Sequence, residues 1–173
     1  QAEYKPLQLS VAARLGLTIP RTVITNEPDA VRNAFDEFDG MIVKPVRSGY
    51  VVHDGKDHAI FTSRVDRGHL DQLADAQLSP AIYQELIPKR FDIRVTIVGR
   101  QVFAAAIDSQ SDPCAEVDWR HTSNPDLPHR AHQLPDEVSK KLLALMDALN
   151  LEFAGIDLVQ TPKGDYVFLE ANA

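Results

Sequence analysis

Phe153-Ala154-Gly155-Ile156-Asp157-Leu158-Val159-Gln160, the link Thr161-Pro162-Lys163-Gly164-Asp165, and Tyr166-Val167-Phe168-Leu169-Glu170-Ala171-Asn172-Ala173 are the last residues of the sequence, and their pattern decides its reading. Two apolar runs flank Lys163-Gly164, which is the make-up of a β-hairpin. A two-residue turn there sets Asp157 opposite Glu170 and Gly155 opposite Asn172. Residues two apart in a strand share a face, so Asp157, Glu170 and Asn172 project the same way. Carboxylates directly opposite each other repel. These two also interrupt strands that are otherwise apolar, with Ile156, Leu158 and Val159 on one side and Val167, Phe168 and Leu169 on the other. A buried charge needs a partner. Three hard oxygen donors on one face suit magnesium, which is commonly held by one or two carboxylates plus substrate phosphates. The competing reading is structural, with Arg94 or another base neutralising the acids. A slip of one residue in the hairpin register removes the metal argument.

Working upstream, Val138, Leu142, Leu145, Met146 and Leu149 recur at helical spacing, and a helix is expected over Pro135 to Leu149. Residues 108–134 are polar, with three prolines and three of the six histidines, and are expected to form a functional or mobile loop. Phe91 to Val98 and Gln101 to Ile107 are apolar strands joined by Gly99-Arg100. Earlier still, strands are expected at Thr22 to Thr25, Met41 to Val46, Tyr50 to Val52, Ala59 to Thr62 and Ala81 to Ile87, with Asp54-Gly55 as a hairpin turn. Leu7, Leu9, Val11, Ala12 and Leu15 describe a helix stopped by Gly16. Asn26 is expected to cap another, with Pro28 in its first turn and Ala30, Val31, Ala34, Phe35 and Phe38 on one face. His69 to Leu78 reads as a weak helix. The order predicts two α+β lobes that part near Ile87-Pro88.

The 173 residues carry 44% hydrophobic and 25% charged side chains, enough for packed cores and too apolar for disorder. A formal net charge of −7 argues against a general nucleic-acid binder but not against a nucleotide, which a few placed cations can hold. No run approaches the roughly 18 apolar residues of a membrane helix. The single cysteine, Cys114, excludes an internal disulfide and fits a reducing cytoplasm. The sequence starts without methionine and stops directly after an apolar strand, so it is expected to be a fragment.

Several other residues carry candidate chemistry. Lys44 lies inside the apolar strand Met41 to Val46, where lysines are uncommon unless paired. It reads either as a phosphate ligand or as an edge-strand lysine beside Pro45. Arg47-Ser48-Gly49-Tyr50 reads as a loop whose N–H groups approach phosphate, or as an ordinary hairpin. Gln84-Glu85-Leu86-Ile87 could offer backbone groups to an adenine ring while Leu86 and Ile87 pack on it, or could simply connect the lobes. Arg94 alternates with Ile93 and Val95, and Arg suits bidentate contact with phosphate or carboxylate. Arg120 sits in the long loop, placed to clamp a substrate or to stack on Trp119. Lys5, read alone, is a solvated surface lysine. Cys114, His121, His129 and His132 could form a zinc site, although their spacing matches no common zinc pattern.

The linear order of these signals adds what none carries alone. A lysine before a helix, a second lysine in a strand, then QELI, FDIRV, AGIDLV and FLEANA resembles the ATP-grasp ligases over nearly the whole chain. Within that superfamily the sequence is similar to glutathione synthase and the ribosomal-protein glutamate ligases. Through YKPLQL, the Asp118-Trp119-Arg120 loop and FLEANA, the likeness is strongest with the microviridin-type graspetide ligases, which crosslink side chains of a ribosomal precursor peptide. The resemblance implies an α+β ATP-grasp fold of two lobes with mainly antiparallel sheets around a nucleotide. Residues 18–87 would form the smaller lobe, and 1–17 with 88–173 the larger, without the N-terminal domain that precedes them in the family. It implies an enzyme that uses ATP and magnesium to join a carboxylate to an amine or hydroxyl. The carboxylate would belong to a peptide or an amino acid, and the full-length protein could pair as a homodimer. It implies Lys5, Lys44, Ser48, Gly49, Gln84, Glu85, Leu86, Ile87 and Arg94 as nucleotide-binding residues. Arg94 and Arg120 would be catalytic, the latter at the activated carboxylate, and Asp157, Glu170 and Asn172 would be magnesium ligands. The phosphate loop is poorer in glycine than the family pattern, and the Glu-x-Asn motif is cut at Ala173, so weak ATP binding or inactivity of this piece is expected. A non-catalytic nucleotide-binding module and a ligase for free amino acids are the alternatives.

Overall fold

The computed structural model describes residues 4–47, 50–122 and 124–173. The elements in chain order are α1 (Lys5–Arg14), β1 (Thr22–Thr25), α2 (Pro28–Glu37), β2 (Met41–Pro45), β3 (Tyr50–His53), β4 (Lys56–Ala59), β5 (Ser63–Val65), α3 (Arg67–Leu70), β6 (Ala81–Glu85), β7 (Phe91–Val98), β8 (Gln101–Ile107), β9 (His129–His132), α4 (Asp136–Leu149), β10 (Phe153–Gln160) and β11 (Tyr166–Asn172). They divide into two compact units. Pro20–Leu86 forms one, and the residues up to Ile19 together with those from Ile87 onward form the other. Among the described residues, no helix is long and apolar enough to cross a membrane.

The 20–86 unit is built on a four-stranded sheet of order β1-β6-β2-β5, whose pairs are antiparallel. Val31 and Ala34 of α2, with Phe38 just after it, pack on Met41, Val65 and Tyr83, with Val23, Val43 and Ala81 at the margin. Period-two alternation therefore puts Thr22, Ile42, Lys44, Ile82 and Gln84 on the face away from α2. Asn26 does not cap α2. Its side chain donates to the Gln77 carbonyl at 3.1 Å, Glu27 is the N-cap residue, and Thr25 Oγ1 accepts from Glu27 N at 2.9 Å. Asp54 and Gly55 form the expected turn with φ of 51° and 71°, a hairpin geometry that glycine and aspartate tolerate. The strand after the turn is Lys56–Ala59; the strand expected over Ala59 to Thr62 does not form past Ala59, and a further short strand, β5, begins after it at Ser63. The helix expected over His69 to Leu78 is split into α3, capped by Asp66 and His69 in a reciprocal box, and a 3₁₀ turn at Asp75–Leu78.

The other unit carries a five-stranded antiparallel sheet, order β11-β10-β7-β8-β9. One face packs α1 and α4 through Leu9, Ala12, Leu142, Leu145 and Met146 onto Ile93, Val95, Ile97, Ile156, Leu158 and Phe168. The opposite face presents Arg94, Thr96, Gly155, Asp157, Glu170 and Asn172 by the same alternation. Within the stretch expected to be a loop, His129–His132 pairs with Ala104–Ile107 as edge strand β9. Its sequence, His-Arg-Ala-His, has no apolar alternation because it is an exposed edge. Also within that stretch, Ala115 and Leu127 form a small core with Ile107, and Trp119 packs against it.

Candidate functional site

The hairpin register is not the one a two-residue turn would give. Thr161 N donates to the Asp165 carbonyl, which encloses a three-residue loop whose last member, Gly164, has φ of 92°. Gln160 therefore pairs with Tyr166 and Leu158 with Phe168. A β-bulge at Leu169 then restores the alignment, so Asp157 pairs with Glu170 and Gly155 with Asn172. The slip that would have separated the acids is present at the turn and cancelled by the bulge, which also returns Phe168 to the core and Glu170 to the open face.

Strand β7 places Arg94 beside Asp157. Arg94 Nη1 donates to both Asp157 oxygens, at 2.9 and 3.0 Å. The guanidinium fits there because Gly155 has no side chain: a Cβ on it would lie 2.0 Å from Arg94 Nη2. Asn172 Nδ2 donates to Asp157 Oδ2 at 3.2 Å and Glu170 Oε1 at 3.3 Å, tying the three side chains together. Lys5, at the start of α1, brings its ammonium 3.6 Å from Glu170 Oε2, with its side chain only 13% exposed. It is not the solvated lysine its isolated sequence context implied. Arg120 comes from the long loop, with Nη1 at 3.9 Å from Glu170 Oε1. Asp118 clamps it, accepting from Nε at 2.8 Å, Nη2 at 2.7 Å and the Arg120 backbone N at 3.2 Å. Arg120 therefore does not stack on Trp119, which meets His129 edge-on with centroids 6.2 Å apart.

Burial pushes the Asp157 carboxyl up to about 6, against the lowering effect of Arg94 and with the Glu170 charge adding to the rise. The hydrogen bonds that the Arg120 guanidinium donates to Asp118 hold it further above its ordinary value, against the effect of burial. So the structural pairing of Arg94 with Asp157 exists, and beside it stands a compact oxygen set. An asparagine amide presents either its oxygen or its nitrogen to the same neighbours by a half-turn of the group. Turning the Asn172 amide over puts Oδ1 about where Nδ2 stands, among one oxygen of each acid. Adjacent ligand oxygens of an octahedral magnesium, at ~2.1 Å from the ion, are about 3 Å apart. The 3.2 and 3.3 Å spacings are close to that, so these residues fit the ion.

In the 20–86 unit, Lys44 pairs with Ile82 and is 7% exposed, on the same face as Gln84. Gln84 is fully buried and its Nε2 donates to Thr22 Oγ1 at 2.8 Å. The Thr22 hydroxyl spends its own proton on the Pro20 carbonyl, at 2.8 Å. That fixes the amide's orientation and leaves Gln84 Oε1 without a hydrogen-bond partner among the described residues. An orphaned buried acceptor is costly, and the exocyclic amine of adenine is a donor that would satisfy it. The amides of Glu85 and Leu86 are already committed, to the Arg21 and Gly40 carbonyls at 3.0 Å each. Glu85 is paired with Arg21 at 2.9 and 3.1 Å, which lowers its pKa. Neither N–H is thus available to a base, a restriction the sequence did not show. Ile87 begins the other unit. Ser48 and Gly49 lie outside the described residues.

Cys114, His121, His129 and His132 do not gather. Cys114 is an exposed free thiol, His132 Nε2 meets Tyr166 Oη at 2.7 Å, and the described residues hold no group of three or more His, Cys, Asp or Glu able to take a metal. Sequence reasoning missed the role of Gly155, although a glycine inside an apolar strand is a signal of close approach. It also missed Asp118 as the clamp on Arg120.

Comparison with known proteins agrees with this architecture. The model of the RimK-like ATP-grasp domain matches residues 2–173. A RiPP-associated ATP-grasp ligase from Chryseobacterium gregarium, solved with ADP and a leader and core peptide, superimposes with a TM-score of 0.91 at 29% identity, covering 99% of this chain and 52% of that one. Macrocyclase MdnC from Microcystis aeruginosa MRC, bound with precursor peptide MdnA, gives 0.83 at 37% identity, covering 99% and 51%. Beta-citrylglutamate synthase B of Danio rerio is 30% identical over 168 residues, 91% of this chain and 38% of that protein. The chain thus spans about half the length of those solved relatives and less of the curated one. With a domain model matched over almost every residue and the antiparallel α+β architecture to go with it, the chain belongs to the RimK-like ATP-grasp family.

Proposed function

We propose that the protein is an ATP- and magnesium-dependent ligase that joins a carboxylate to an amine or hydroxyl through an acyl phosphate, and that its substrate is a precursor peptide. The observation that carries this is the meeting of Asp157, Glu170 and Asn172 on one sheet face with Arg94, Lys5 and Arg120 around them. In this reading Asp157, Glu170 and Asn172 hold magnesium, which would supply charge neutralisation at the nucleotide phosphates. The adenine ring lies against the Gln84–Ile87 segment, with its amine on Gln84 Oε1. Lys5, Lys44 and the segment containing Ser48 and Gly49 hold phosphates.

The substrate carboxylate attacks the γ-phosphorus, and ADP leaves. Arg94 stabilises the charge on the transferring group, as positioned donors do in other phosphoryl transfers. Arg120, held by Asp118, orients the activated carboxylate. The amine or hydroxyl then displaces phosphate. The residues outside 18–87 form the larger lobe in this account. The solved relatives with bound peptides support a peptide substrate. The likeness to beta-citrylglutamate synthase B supports a second reading, a ligase for free amino acids or other small carboxylates. A cytoplasmic setting fits the exposed free thiol of Cys114. Nucleic acid is not a partner of a chain with net charge −7 in this reading, nor is a membrane.

The test is release of ADP and phosphate by the protein with candidate peptides and with a panel of amino acids. Turnover that requires a carboxylate substrate and is abolished by Asp157→Ala supports the proposal. Unchanged turnover in that variant overturns the metal assignment, and stimulation by amino acids alone selects the second reading.

A further inference from the structure

We propose that Lys89 and Asp92 are positioning residues, a buried tether that fixes the loop carrying Arg120 to the root of strand β7; the functional weight of this tether rests on the role given above to Arg120. Neither residue was singled out by its sequence context, and the bonds of both side chains run to each other and to the loop rather than to Asp157, Glu170 or Asn172.

The geometry is specific. Lys89 lies just before β7 and Asp92 is its second residue. Their side chains are 6% and 7% exposed. The ammonium donates to Asp92 Oδ1 at 3.1 Å, to Asp92 Oδ2 at 2.8 Å and to the Val117 carbonyl at 3.1 Å, which uses all three of its protons. Val117 is the residue before Asp118, the clamp on Arg120. From the other side, Ser109 is fully buried and donates its hydroxyl to Asp92 Oδ2 at 2.5 Å. Gln110 Nε2 in turn reaches Ser109 Oγ at 3.1 Å and the Glu116 carbonyl at 3.2 Å. One buried ion pair thus holds both limbs of the loop, at Ser109 and at Val117.

A buried ion pair is a poor way to gain stability, because removing two charges from water costs about what their attraction returns, and apolar packing of the same volume often does as well. What this pair supplies is direction. Its third proton is spent on one carbonyl, and that carbonyl sets where Asp118 begins. Arg120 then has its fork filled by Asp118 on one side and its remaining nitrogen 3.9 Å from Glu170 on the other. A loop held only by its small core of Ala115 and Leu127 would leave this spacing free to vary.

The test is the double variant Lys89→Met/Asp92→Asn, which removes both charges, keeps the volumes and leaves Ser109 an acceptor. Lys89→Met alone would strand a buried carboxylate and confuse unfolding with repositioning. Amide hydrogen exchange and the Arg120 Nε–H resonance are read on the intact protein without substrate. The expected result is exchange at residues 117–121 faster by about 10-fold or more. The Arg120 resonance should move toward a solvated value, while protection in β7, β10 and β11 stays as in the parent. Parent-like exchange and an unmoved Arg120 resonance overturn the proposal, as does a uniform loss of protection, which would make the pair merely structural. Arg120→Ala is run alongside for ADP release. If that variant keeps full turnover, the catalytic reading of Arg120 fails while the exchange data still decide the tether.

Discussion

Replacing Gly155 by alanine should disable the site while sparing the fold. The backbone at Gly155 is ordinary strand, not the left-handed region that favours glycine, so the new residue meets no conformational strain. What it meets is Arg94: the added Cβ would stand 2.0 Å from Nη2, 2.4 Å from Cζ and 3.0 Å from Nε. No real contact survives at those distances, and the flexible guanidinium must swing away. The stability cost is a charge-assisted pair worth about 1.5–3 kcal/mol in general. It should fall at the low end here, since the Arg94 side chain is 35% exposed and screened. A gain of about 0.4–1 kcal/mol from reduced freedom of the unfolded chain offsets part of it. The variant should therefore unfold in urea within roughly 1 kcal/mol of the parent. Turnover should fall far more. Loss of a donor aimed at developing charge costs about 10²–10³ in kcat. Kinetics should show Gly155→Ala matching Arg94→Ala, and the double variant should be no worse than either, because both remove the same interaction. Parent-like kcat in Gly155→Ala, or additive losses in the double variant, would refute the reasoning.

Asp157 gives a pH prediction. Its folded carboxyl titrates near 6, raised first by burial, so the folded protein free of metal binds more protons than the unfolded chain between about pH 4 and pH 6. Stability is then greatest below pH 4 on this group's account and declines as pH rises through 6, by up to about 3 kcal/mol. Urea melts at several pH values should show a shallower decline in Asp157→Asn. Gln84→Leu removes the orphaned acceptor and should raise stability by about 1 kcal/mol while weakening ATP binding, a combination that calorimetry and denaturation together can test. Arg120→Lys cannot fill the Asp118 fork, so it should lower kcat by at least about 10-fold with the KM for ATP little changed, as steady-state kinetics would show.

The sheet cores were legible because their signals are local. Phe91 to Val98 alternates apolar with polar residues and Gln101 to Ile107 is apolar after its first residue; they flank Gly99, whose φ is 57°, and form as β7 and β8 with those bounds. Strand β9 was hidden because an exposed edge needs no apolar alternation, and its pairing is set by the neighbour it meets. The acidic pair came out opposed for an incomplete reason. The turn holds one residue more than expected, and the bulge at Leu169 restores the register; neither leaves a mark in composition. The cap of α2 was misplaced because Asn26 finds a tertiary partner in Gln77, which no neighbouring residue foretells. Likewise the Lys89–Asp92–Val117 cluster joins residues up to 28 apart in sequence, and only folding brings a carbonyl to that ammonium.

Titration of ADP into the protein with and without magnesium, repeated for Asp157→Asn and Glu170→Gln, probes the oxygen set most directly. Even indirect contacts to a metal are worth about 10–100-fold in affinity, so loss of a direct ligand should cost at least that. The account predicts that magnesium tightens ADP binding in the parent and that each substitution removes this tightening while leaving metal-free ADP affinity unchanged. A magnesium-dependent gain of the same size in both variants would contradict it.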